Sequence, residues 1–114
     1  MSIIIYHNPR CSKSRKTLEL IQAKGIEPEV IEYLKMPPSE AELDAILRKL
    51  SKEPAELMRI GEDDYKEHIK GKILSRAETI ALMVQYPKVI ERPIVVHDEK
   101  AVVGRPPELI FDIL

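Results

Sequence analysis

At 114 residues the chain has the length of one domain, too short for two cores of ordinary size. Its 18 Lys and Arg against 19 Asp and Glu leave a net charge of −1, which excludes the strong basic excess of a dedicated nucleic-acid binder. No apolar run nears the ~20 residues that span a bilayer, the opening lacks the pattern of a signal peptide, and the single cysteine excludes an internal disulfide while fitting a reducing cytoplasm.

The first element is Ile3-Ile4-Ile5-Tyr6, short, β-branched and continuous, which predicts a buried strand. It stops at His7-Asn8-Pro9, a turn signal in which proline also denies a ladder hydrogen bond. Ser12 to Lys24 predicts a helix with Leu18, Leu20, Ile21 and Ala23 as its apolar face and Gly25 as its C′ glycine. Glu29 to Tyr33 forms a second strand, so the first third of the chain is a βαβ unit with parallel strands.

Helices fill the middle, an insertion expected at about 39–87 within one domain spanning 1–114. Ser39 and Glu42 have capping-box spacing, and Leu43, Ile46, Leu47 and Leu50 follow on one face. Pro54 opens a short helix carrying Leu57 and Met58, and Ser75 with Glu78 caps another that ends before Pro87. Pro93 to Val96 and Lys100 to Val103 then flank His97-Asp98-Glu99 as a hairpin, and Pro106-Pro107 starts a terminal helix. The order βαβ, helices, ββα matches an α/β fold of the thioredoxin-like kind, a four-stranded mixed sheet with a helical insertion between strands 2 and 3.

Cys11 falls where the first strand has ended and the first helix begins. Unpaired amides and the positive dipole end at a helix N-terminus favour an anion, and a thiolate is one. Arg10, Lys13 and Arg15 act in the same direction, and Ser12 or Ser14 has a hydroxyl to offer the sulfur. Cys11 is therefore the candidate nucleophile. Ser14 completes a C-x-x-S spacing and cannot close a disulfide, so any adduct on Cys11 must be resolved by a thiol from outside the chain. His7 either bonds the turn backbone or, as an imidazolium, stabilises the thiolate. His68 and His97 read as solvated residues, and no His, Cys and carboxylate set has metal-ligand spacing, so neither a metal nor a bound cofactor is expected.

Arg59, Arg92 and Arg105 are the arginines of interest downstream. Arg92 leads into the third strand and Arg105 leaves the fourth, so an antiparallel hairpin brings both to one sheet end. Guanidinium forks suit tetrahedral oxyanions. In thioredoxin-like folds the proline opening the third strand is characteristically cis and lies beside the active cysteine, a place that Pro93 occupies here.

The segments Ile5-Tyr6-His7-Asn8-Pro9-x-Cys11-x-x-Ser14-Arg15, Tyr33-Leu34 with Pro37-Pro38-Ser39, Glu91-Arg92-Pro93-Ile94-Val95-Val96 and Gly104-Arg105-Pro106 resemble the ArsC-type, glutaredoxin-coupled arsenate reductases over essentially the whole chain. The resemblance implies that Cys11 attacks arsenate and that Arg59 (in Leu57-Met58-Arg59), Arg92 and Arg105 bind the oxyanion. It assigns His7 and Ser14 to support of the thiolate. It also implies glutathione as co-substrate, glutaredoxin as protein partner, a cytoplasmic monomer, and no nucleic-acid or membrane partner. Two rival readings share the fold. An Spx-type regulator contacts RNA polymerase, but its redox-switching members carry a second cysteine where Ser14 stands. A glutathione-dependent thiol oxidoreductase would use Cys11 without meeting arsenate.

Overall fold

Isoleucines at both ends of the chain build the sheet that carries the candidate site. In the computed structural model, which describes residues 2–114, strand β1 (Ile3–His7) lies between β2 (Glu29–Glu32) and β3 (Ile94–His97), with β4 (Lys100–Val103) outside β3. The β1–β2 pairing is parallel and the β1–β3 and β3–β4 pairings are antiparallel, so the sheet is mixed with order β2-β1-β3-β4. This is the thioredoxin-like arrangement read from the element order. Ile5 pairs across to Val30 on one side and Val95 on the other. Asp98 has φ +53, which lets a two-residue turn close the hairpin.

Helix α1 (Ser12–Ala23) makes the parallel crossover, and Gly25 at φ +78 supplies the left-handed residue after its end. Ile21 joins Ile3, Ile5, Val95 and Ile110 in one buried cluster, with Leu18, Leu20, Ile26 and Val102 packed around it. The buried face of α1 bears out Ile21, with Leu18 and Leu20 partly buried against the core, and departs from the sequence reading at Ala23 and in two polar residues. Ser14, Thr17 and Ile21 are its buried residues, while Ala23 is exposed. In the N-terminal half of the helix the buried Ser14 Oγ bonds His7 and the Asn8 N–H, and the buried Thr17 Oγ1 donates to the Lys13 carbonyl, so small polar side chains are buried there with partners.

The expected terminal helix is a 3₁₀ helix, Pro107–Asp112. Two consecutive prolines remove donors from its start, and the remaining i→i+3 bonds, such as Leu109 N–H to the Pro106 carbonyl at 3.1 Å, wind the chain tightly enough to seat Ile110 in the core.

The backbone divides into two compact units, one made of the residues through Met36 with Arg92–Leu114, the other of Pro37–Glu91. The second unit contains α2 (Glu40–Leu50), α3 (Asp63–His68) and α4 (Arg76–Gln85), with 3₁₀ turns at Pro54–Leu57 and Pro87–Val89. Both capping boxes form: Ser39 Oγ accepts from Glu42 N–H at 3.1 Å and Ser75 Oγ from Glu78 N–H at 3.1 Å, each glutamate accepting in return. Leu43, Ile46, Leu47, Leu57, Ile80 and Met83 form its buried interior. Arg76 ties α4 to Asp44 of α2 at 2.9 Å and to Glu53 at 3.2 Å.

Helix α3 was not legible in the sequence. It buries none of its six residues, so no apolar period marks it, and only the acidic first turn and basic last turn suit its dipole. Among the described residues no helix is long and apolar enough to cross a membrane.

Ile21 and Leu57 are both fully buried, one in each unit. Ile21→Ala and Leu57→Ala are each expected to lower unfolding stability by about 2–5 kcal/mol, read from the urea midpoint at unchanged slope.

Candidate active site

The turn that follows β1 is fixed before any side chain reaches the sulfur. Cys11 N–H donates to the Asn8 carbonyl at 3.0 Å, Asn8 Oδ1 accepts from Arg10 N–H at 3.0 Å, and Arg15 Nη1 donates to the Pro9 carbonyl at 3.0 Å. Cys11 then serves as N-cap of α1, with extended backbone (φ −95, ψ 123) and no side-chain hydrogen bond to the helix. The first turn of α1 holds no acidic residue. The amides and dipole of this terminus are therefore left to act on whatever anion sits beside them. The thiol is free and partly exposed, and its surroundings are cationic.

The hairpin delivers Arg105 from the far end of the sequence. Its Nη1 lies 4.0 Å from Cys11 Sγ and 3.4 Å from the Arg92 carbonyl, to which it donates. Arg92 is partly buried, and its Nε and Nη1 are fully enclosed. The Arg92–Pro93 peptide is cis, and so is Arg105–Pro106, the second of which is not anticipated from the sequence. Pro93 is buried, and its carbonyl accepts from Gly104 N–H at 2.9 Å, joining the start of β3 to the residue before Arg105.

His7 and Ser14 form a buried pair beneath the turn. His7 Nδ1 and Ser14 Oγ are 2.7 Å apart, and Asn8 N–H donates to the same hydroxyl oxygen at 3.0 Å. Burial pushes the His7 imidazole below its ordinary value; the Glu32 carboxylate opposes that shift and the Arg15 cation adds to it. Glu32 is the β2 residue in register with His7. The imidazolium considered from sequence is thus disfavoured, and His7 acts as a neutral ring that holds the Ser14 hydroxyl. The hydroxyl thereby ties α1 to the turn.

Arg59 lies in the Pro37–Glu91 unit. Its Nη1 donates to Glu62 Oε1 at 2.6 Å, its Nε lies 3.8 Å from Glu91 Oε1, and its N–H donates to the Val89 carbonyl at 2.7 Å. His68 and His97 are not the solvated residues expected. The His68 ring stacks on Tyr86 with centroids 4.0 Å apart, and the His97 ring nitrogen Nδ1 bonds the Ile113 carbonyl. Among the described residues one set, Asp64, Glu67 and His68, brings ligand-type atoms within 4.8 Å of one another, well outside the cysteine's surroundings in sequence. Thr17 and Gly104, which the sequence reading does not single out, lie against one another, a Cβ on Gly104 standing 2.7 Å from Thr17 Oγ1. The available signal was a threonine inside a helix and a glycine directly before an arginine.

The lowered His7 value sets a sign for the pH dependence of folding. The unfolded chain, with a histidine near ~6.5, binds this proton more readily than the folded one. The stability contribution is whole above that pH and is lost as pH falls from there through the folded value. The denaturation midpoint should drop between pH 7.5 and 5 more steeply in wild type than in His7→Asn. Equal slopes would remove His7 as the cause.

The ArsC family model matches residues 6–113. The arsenate reductase of Haemophilus influenzae is 44% identical over 116 residues, covering 100% of this chain and 100% of that protein. The uncharacterized protein YfgD of Escherichia coli (strain K12) is 51% identical over 112 residues, 96% of this chain and 94% of its own length. A solved structure described as arsenate reductase from Vibrio cholerae superposes with a TM-score of 0.95 at 48% identity, covering 100% of this chain and 98% of that one. With a family model spanning nearly all of its length and full-length relatives well above 30% identity, the chain belongs to the ArsC family.

Proposed function

We propose that this protein reduces arsenate to arsenite, with Cys11 as nucleophile and glutathione and glutaredoxin as the external reductants. The observation that carries the reading is the partly exposed sulfur at the open N-terminus of α1 with the Arg105 guanidinium 4.0 Å away. A tetrahedral oxyanion fits such a setting because helix amides and a guanidinium fork both donate to oxygen. Relatives named arsenate reductase, matched over their whole length, support the same assignment.

In the first step the Cys11 thiolate attacks arsenic, an As–O bond breaks, and the oxygen leaves as water or hydroxide. Arg105 and Arg92 neutralise charge on the remaining oxygens as it develops. Glutathione then forms a second As–S bond with loss of a further oxygen as water. A glutaredoxin thiolate attacks the glutathione sulfur, and the electron pair of the broken As–S bond passes to arsenic, taking it from As(V) to As(III). Water releases arsenite and returns the Cys11 thiol. Two external thiols are consumed per arsenate and leave as one mixed disulfide, so the electrons balance. Ser14 closes no disulfide with Cys11, which is why the second and third steps draw on partners.

His7 and Ser14 support the thiolate by holding the turn and helix start rather than by direct charge. This chemistry suits a reducing compartment such as the cytoplasm, carried out by the chain as a monomer. Cys11→Ser is expected to abolish glutathione- and glutaredoxin-dependent arsenite formation, and Arg105→Ala to lower kcat/KM for arsenate by about 10²–10³-fold. Retained activity in Cys11→Ser would end the proposal. Deglutathionylation of peptide substrates by wild type without arsenate turnover would assign the site to thiol exchange alone.

A further inference from the structure

We infer that Gly104 and Thr17 are positioning residues whose contact sets the distance between the Arg105 guanidinium and the Cys11 sulfur. The inference deepens the proposed function and rests on its assignment of Arg105 to the oxyanion.

Gly104 is buried, and a Cβ placed on it would stand 2.7 Å from Thr17 Oγ1, 3.1 Å from Thr17 Cγ2 and 3.0 Å from Pro93 Cγ. Its φ lies outside the left-handed range, so space rather than torsion demands the glycine. None of the three atoms yields easily. Thr17 is fully buried, and its Oγ1 donates to the Lys13 carbonyl at 2.8 Å. Turning its β-branched side chain would break that bond and exchange one crowding atom for another. Pro93 is fully buried, and its ring has no freedom to swing aside.

The contact sits on the two bodies that carry the reacting groups. Thr17 and Cys11 belong to the same helix start, which moves as a rigid rod over so few residues. Gly104 is bonded directly to Arg105 and is held to Pro93 by its N–H at 2.9 Å. One point of approach, Gly104 on Thr17, therefore fixes the other, Arg105 Nη1 on Cys11 Sγ at 4.0 Å. A side chain at position 104 must push β4 and α1 apart, and displacements near 1 Å at a reacting centre cost up to ~10²-fold in rate.

The test reads the guanidinium's place relative to sulfur without using arsenate. Cys11 of the full-length protein is alkylated with anionic iodoacetate and with neutral iodoacetamide, and the ratio of the two rates reports the nearby cation. Arg105→Ala calibrates the loss, expected at roughly fivefold for a unit charge removed at this range in water. Gly104→Ala should lower the ratio by a smaller factor than Arg105→Ala, about 1.4-fold for a ~1 Å retreat in water, with folding verified by circular dichroism, and should lower kcat for arsenate more than it raises KM, the loss in kcat/KM reaching up to ~10²-fold. Adding Thr17→Ala removes two of the three crowding atoms and should recover part of the ratio. If Gly104→Ala does not fold, that double variant and Thr17→Ala alone carry the test, each with a ratio below wild type because the contact is lost or loosened.

Folded variants that keep the wild-type ratio and the wild-type kcat/KM for arsenate would overturn the inference. A ratio that responds as described in a protein that turns over no arsenate would leave the positioning intact and remove the proposed function. Arsenate turnover with an unresponsive ratio would do the reverse.

Discussion

The proposed chemistry depends on a cation meeting a sulfur across 94 positions of sequence. Arg105 reaches to 4.0 Å from Cys11, and a unit charge at that range is worth ~1 kcal/mol in water and about 4 kcal/mol in a half-buried setting. The open helix N-terminus adds to the same field. Neither contribution is local in origin. The helix start follows β1, the guanidinium follows β4, and they meet because β3 lies between those two strands in the sheet order. A slip in that register would turn the hairpin's side chains to the opposite face and take Arg105 away from the sulfur.

The supports beneath this pair are neutral and buried rather than charged. His7 loses water without gaining a full counter-charge, so it stays uncharged and spends its polarity on Ser14. Ser14 in turn holds Asn8, whose carbonyl accepts from Cys11 N–H. A buried imidazolium here would bear a desolvation cost that the hydrogen-bonded neutral ring avoids. The turn is therefore rigid without placing further charge beside the sulfur.

The Pro37–Glu91 unit solves a separate problem. Its helices are fixed by two capping boxes and by Arg76 bridging Asp44 and Glu53, while Arg48 and Arg76 together hold the Asp44 carboxyl below its ordinary range. Arg59 is accommodated in the same way, its guanidinium set between Glu62 and Glu91 while its backbone N–H bonds the Val89 carbonyl. These are mostly partly exposed pairs of modest worth, and the apolar contacts of Leu43, Leu47, Leu57 and Met83 supply the larger stabilisation.

Local grammar alone determined the strands, the two capping boxes, the glycine after α1 and the place of Cys11 at a helix start, because each depends on residues within one or two turns of one another. Tertiary structure decided what depends on desolvation and on partners distant in the chain. Burial disfavours the His7 imidazolium, where the sequence reading left a bond to the turn backbone and an imidazolium both open. Packing buried Ser14 and Thr17 on the inner face of α1 beside the expected Ile21 and left Ala23 exposed, where periodicity had pointed to Leu18, Leu20, Ile21 and Ala23. The close approach of Gly104 to Thr17, and with it the placement of Arg105 on Cys11, exists only once a helix from the first quarter of the chain lies against a hairpin from the last, since no residue carries in its own side chain the distance to one that folding has not yet brought near.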